Sequence, residues 1–231
     1  MSGPEPDPVE SLRREVERLR RELAELREAH EQDRRTANQA LADLTAQVLE
    51  LRTGLSRVGV SSPDRGAPRD PGPDRVGLFV DVQNMYYAAR QLNARLDYGA
   101  LMGAVTRDRR LVRAFAYVVQ NRDIDQSGFL AMLQQKHFEV KRKGLKIRQD
   151  GSSKGDWDME IALDMLRMAG SLDVAVLVSG DGDFTSLLTR IKSLGPRVEV
   201  YSFPGSTARE LIEAADRHVP IDDSLLIRMP P

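Results

Sequence analysis

The chain has 231 residues, with 34 Lys plus Arg against 35 Asp plus Glu, a formal net charge of −1 and 41% apolar residues. That is enough for one ordinary domain with a real core plus an extra segment. It excludes polyanion binding by the chain as a whole, so any nucleic-acid affinity must come from a local patch. The absence of cysteine excludes disulfides, thiolate zinc sites and cysteine nucleophiles.

Residues 1–8 are rich in Pro, Asp and Glu and are expected to be disordered. No apolar run approaches the roughly 18 residues of a membrane span, so a soluble, cytoplasmic protein with no membrane partner is expected. Over residues 9–58, Val9, Leu12, Val16, Leu19, Leu23 and Leu26 recur in steps of three and four, the heptad pattern of a coiled coil. The phase breaks near His30 and Asp33. Leu41, Leu44, Val48, Leu51, Leu55 and Val58 resume it with a four-residue offset, which reads as a stutter. At 1.5 Å per residue the helix would be roughly 75 Å long. A coiled coil needs a partner, so a homodimer is expected; the alternative is a single helix packed on its own domain. Residues 59–74, dense in Pro and Gly, read as a flexible linker.

The globular domain is expected over residues 75–221. Strands are predicted at 76–82, 111–119, 138–143, 173–179 and 197–201. Helices are predicted at 86–107 (with a break near 97–99), 128–137, 158–169, 184–194 and 208–217. Residues 222–231 read as a tail. Alternation of this kind implies right-handed crossovers and an α/β fold: a parallel sheet of about five strands with helices on both faces.

Open α/β sheets bind ligands beyond the carboxyl ends of their strands, where strand order reverses. The first strand ends in Asp81-Val82-Gln83-Asn84, and the fourth in Ser179-Gly180-Asp181-Gly182-Asp183-Phe184. Between them in sequence, Lys154-Gly155-Asp156-Trp157-Asp158 leads into a helix that also carries Glu160 and Asp164. Carboxylates converging on one crevice repel one another, and a divalent cation removes that penalty. An oxygen donor set without cysteine, and with His30, His137 and His218 far apart in sequence, points to Mg²⁺ or Mn²⁺ rather than zinc. Such a site activates water for in-line phosphoryl displacement, and no other nucleophile or small-molecule cofactor is called for.

The blocks FVDVQN, KGDWDMEIALDM and LVSGDGDF resemble the signature blocks of the NYN domain, in particular its LabA-like bacterial branch within the PIN-like nuclease superfamily. The resemblance covers about residues 76–220 and leaves out the heptad segment. It implies a PIN-like (Rossmannoid) fold and, for intact members, metal-dependent ribonuclease activity with RNA as partner. Asp81 is similar to the family's first-strand aspartate and Asn84 to the polar residue after it. Asp158 matches an acidic position on the central helix, and Asp181 and Asp183 match the fourth-strand aspartate and its neighbour. One extra residue in the middle block leaves Asp156 and Asp158 as rivals. The six-residue spacing from Asp158 to Asp164 favours Asp158. The catalytic and metal set expected is therefore Asp81, Asp158, Asp181 and Asp183.

Each residue also has a plainer reading. Asp81 and Asn84 are good helix caps, and Ser179–Asp183 suits an Asx turn. Asp156 reads as a cap, Asp164 as a charge beside the unfavourable Glu160, and Trp157 as packing. Lys141, Arg142 and Lys143, within a basic run from Lys136 to Arg148, are expected with Lys154 and Asn84 to hold substrate phosphates; the alternative is a charged edge strand that resists aggregation. Tyr86 and Tyr87 are candidates for base stacking, although at least one is expected in the core. The competing functions are hydrolysis of RNA and a catalytically weak, RNA-binding or regulatory scaffold of the LabA type. A DNA-directed nuclease shares the same metal chemistry. An aspartyl-phosphate phosphatase is disfavoured, because Gln83 stands where its second aspartate belongs.

Overall fold

The computed structural model describes Arg18 and residues 72–120, 124–144, 146–147, 153–154 and 157–229. The chain divides into two units, residues 1–68 and 69–231. Arg18 is helical and exposed. The remainder of the heptad segment expected over 9–58, the tail 1–8 and the linker up to residue 71 lie outside the described residues.

The second unit runs β1 (Arg75–Asp81), α1 (Val82–Gln91), β2 (Ala94–Leu96), α2 (Tyr98–Thr106), β3 (Arg110–Gln120), α3 (Ser127–Gln135) and β4 (Glu139–Gly144). The short pair β5 (Lys146–Ile147) and β6 (Ser153–Lys154) follows. Then come α4 (Asp158–Met168), β7 (Val174–Val178), α5 (Thr185–Ser193), β8 (Arg197–Ser202), α6 (Arg209–Ala214), β9 (Arg217–Pro220) and β10 (Leu226–Arg228). The central sheet has the order β4-β3-β1-β7-β8-β9, and every neighbouring pair is parallel. The chain builds outward from β1 on one side and then crosses to β7 on the other. Strand order therefore reverses between β1 and β7.

Both faces of the central strands β1 and β7 are covered, which is why these two read as near-continuous apolar runs. On one face Val76, Leu78 and Val80 pack with Met85 of α1, Leu101 of α2 and Leu133 of α3, all fully buried. On the opposite face Phe79 stacks on Phe115 at 5.6 Å between ring centres, and Tyr117 meets Trp157 at 5.5 Å. Here α4 buries Ile161 and Met165. Each such large apolar side chain contributes roughly 1.5–3 kcal/mol relative to exposure.

Three local expectations change. The helix expected over 86–107 is two helices separated by β2. The first starts at Val82, capped by Asp81, and the second starts after Asp97, whose carboxylate accepts from the N–H groups of Gly99 and Ala100. The helix expected over 208–217 stops at Ala214, and Arg217–Pro220 forms a sixth strand at the sheet edge, where a terminal proline is tolerated. Beside that ladder, Ser202 Oγ lies 2.9 Å from His218 Nε2. Residues 226–228, expected in a tail, pair antiparallel with β2.

Candidate active site

The reversal point gathers acids from three separate places. Register aligns Lys141 of β4 with Tyr117 of β3, and Tyr117 with Asp81 of β1, in one row across the carboxyl edge. Paired residues share a sheet face, so this row lies under α4. The Val80–Val178 pair then brings the end of β1 alongside the Ser179-Gly180-Asp181 turn.

Asp158 opens α4, where the positive end of the helix dipole favours a carboxylate. Asp181 caps the 3₁₀ turn Gly182–Phe184, its Oδ1 accepting the Asp183 N–H at 3.0 Å. Asp158, Asp181 and Asp183 each bring a carboxylate oxygen within 4.8 Å of the others, and all three are half-buried. That spacing lets one cation reach three oxygens, and an all-oxygen donor set suits a hard divalent ion.

Asp81 stands outside this group yet feels it. Its side chain is buried, and burial is the main reason its carboxyl is pushed up to about 6; the nearby charge of Asp181 adds to the rise. The N–H groups of Asn84 and Gln83 and the Ser179 hydroxyl donate to it and pull the other way. Among the described residues no ion pair reaches Asp81.

Two contacts fix the β7 turn. Asn84 Oδ1 accepts the Gly180 N–H at 3.0 Å, fastening the start of α1 to the turn that carries Asp181. Gly180 lies against the loop after β8: its carbonyl accepts from Ala208 N at 3.0 Å, and a Cβ there would fall 2.6 Å from the Ser206 carbonyl oxygen. Glycine at this position answers a close backbone approach.

A profile for the NYN domain matches residues 75–222. The chain belongs to the NYN family. It is 31% identical over 159 residues to the low amplitude and bright protein LabA of Synechococcus elongatus, covering 65% of this chain and 86% of that relative. This makes it a LabA-like NYN protein, in the PIN-like nuclease superfamily. The crystal structure of a protein of unknown function from Vibrio parahaemolyticus RIMD 2210633 superposes with a TM-score of 0.65 at 38% identity, covering 69% of this chain and 99% of the other. Among the described residues of this NYN protein no helix is long and apolar enough to cross a membrane.

Among the described residues, Lys141, Arg142 and Lys143 do not form one surface. Lys141 binds the buried Asp164, which also accepts from Tyr117 Oη at 2.8 Å. Lys143 Nζ lies 3.2 Å from Glu160 and over the Trp157 ring. Arg142, between them on a strand, is directed to the other face and is exposed. Lys154 lies in β6, paired with Lys146, while Asp156 lies outside the described residues. Asp164 belongs to the Lys141–Tyr117 network and not to the acid cluster. Trp157 is buried against Tyr117, in keeping with packing. Ser179, which reads in sequence as part of a turn, is fully buried, and its Oγ also accepts from Asp181 N at 3.2 Å. The only sequence signal for its role was its place at the end of an apolar strand.

Proposed function

We propose that this protein hydrolyses RNA phosphodiester bonds, using Mg²⁺ or Mn²⁺ held by Asp158, Asp181 and Asp183 with Asp81 as the neighbouring fourth carboxylate. The observation that carries this reading is the meeting of three carboxylates within 4.8 Å at the reversal point of the sheet. When bound, a divalent ion supplies neutralising charge for the phosphate and a water made acidic enough to be deprotonated at neutral pH. The residues do the rest. The Asp183 N–H orients Asp181, and Asn84 holds the turn through Gly180. Asp81, whose carboxyl is raised to about 6 by burial and by the charge of Asp181, would be drawn to its ionised form by a cation at the neighbouring acids and add a fourth negative charge to the site. Lys154 and the exposed Arg142 are offered as phosphate contacts, whereas Lys141 and Lys143 act through Asp164 and Glu160.

The test uses the purified full chain and an Asp181→Asn variant with end-labelled RNA and DNA, in Mn²⁺ or in EDTA. RNA cleavage by the parent protein in Mn²⁺ alone supports the proposal. Equal cleavage by the variant, or cleavage in EDTA, ends it. Tight RNA binding without cleavage under any metal moves the assignment to a regulatory scaffold.

A further inference from the structure

We propose that Tyr86 and Tyr87 form a stacking platform for unpaired bases beside the acidic cluster, making single-stranded RNA the preferred substrate. This rests on the nuclease reading above. Tyr86 is 52% and Tyr87 57% exposed, although both lie on a helix whose other face is fully packed. Single exposed apolar residues are ordinary on protein surfaces. Two successive tyrosines in this place are not explained by the core, because Val82, Met85, Ala88 and Ala89 already supply the buried face of α1.

The position of the pair relates it to the acids. α1 is capped by Asp81, and Tyr86 lies about 6 Å along the helix axis from its first residue. Tyr87 follows Asn84 by three positions, so it shares the flank that Asn84 turns toward Gly180 and the Asp181 turn. The two rings are 5.4 Å apart and inclined at 68°, so their faces point in different directions. That geometry suits two successive bases of a bent strand. Arg90, whose Nη1 reaches the Tyr86 hydroxyl at 3.4 Å, adds positive charge at the same surface for the backbone.

Bases in a duplex already stack on one another and have no free face to offer; unpaired bases do. Every base has such a face, so the platform discriminates strandedness and tolerates sequence. A strand whose phosphodiester lies at the carboxylates would lay its next nucleotides along α1.

The experiment compares the full-length parent protein with Tyr86→Ala/Tyr87→Ala and Tyr86→Phe/Tyr87→Phe. It measures cleavage kinetics on single-stranded and hairpin RNA in Mn²⁺, and fluorescence anisotropy on the single strand. The alanine pair is expected to raise KM for the single strand about tenfold or more with kcat little changed, and to erase the preference over the hairpin, while the phenylalanine pair behaves as the parent. An active parent whose alanine variant keeps its KM overturns the platform. An inert parent whose RNA binding still falls on alanine substitution supports the platform and refutes the hydrolysis. A parent that neither binds nor cleaves RNA refutes both.

Discussion

Two buried aspartates, Asp81 at the end of β1 and Asp164 on α4, are treated in opposite ways. Asp164 is met by the Lys141 ammonium and the Tyr117 hydroxyl, with Arg167 at 3.8 Å, so its charge is answered within the protein. Asp81 receives only neutral donors, from Asn84, Gln83 and Ser179, and has Asp181 for a neighbour. Burying a carboxylate is costly unless a counter-charge accompanies it. The fold supplies that charge at Asp164, which marks a structural residue. At Asp81 it leaves the charge to come from elsewhere, as a site for an external cation would.

The contrast can be broken most sharply by chemistry. Asp181→Asn is expected to lower RNA cleavage by more than about 100-fold with the folded circular-dichroism spectrum retained, since even groups that only support a metal ligand are worth roughly 10- to 100-fold. Mn²⁺ at about 100 times its Kd is expected to stabilise the parent protein by about 2.7 kcal/mol at pH 8, read as a rise in Tm. If Asp81 belongs to that site, the gain fades as the pH falls through 6 and its carboxyl takes a proton.

Stability separates the two aspartates next. Lys141→Met, which leaves Asp164 buried with a hydroxyl and a distant guanidinium, is expected to cost about 2 kcal/mol in urea unfolding at pH 7. Asp81 works in the other direction. Its folded pKa is raised, so its contribution favours the fold below the unfolded value near 3.8 and is lost as the pH rises through about 6. Asp81→Asn is therefore expected to gain Tm over the parent at pH 8 without metal, with the gain absent at pH 4. A loss at pH 8 would show that Asp81 is compensated after all. The smallest effect is expected from Tyr117→Phe, a loss of about 1 kcal/mol with the Mn²⁺ response unchanged.

The division between these aspartates was only half legible in the sequence. Apolar runs ending in Asp81 and Ser179 announced both strand ends, and the parallel order placed them together, because β1 is buried from Val76 onward and β7 throughout. Residues 217–220, Arg-His-Val-Pro, are short and polar, and nothing in their period separates them from a loop. The pairing of Lys141 with Asp164 depends on how α4 docks over β4, across 23 positions of chain, and periodicity carries no such information. The alternation of β4 did contain the warning that Arg142 faces away from its neighbours. The expectation that Tyr86 or Tyr87 lies in the core fails because the helix starts at Val82, and its buried stripe of Val82, Met85, Ala88 and Ala89 passes both tyrosines by.

The crossover from β4 to β7 has a consequence for how the molecule comes into being. Asp81 arrives with the first strand, Asp158 only after the first half-sheet is complete, and Asp181 and Asp183 after the chain has passed to the other side of β1. No contiguous half of the domain holds the full quartet. A chain emerging from the ribosome therefore cannot bring the four carboxylates together until β7 is laid down, and a cut anywhere between residues 82 and 157 that separates the pieces parts Asp81 from the other three.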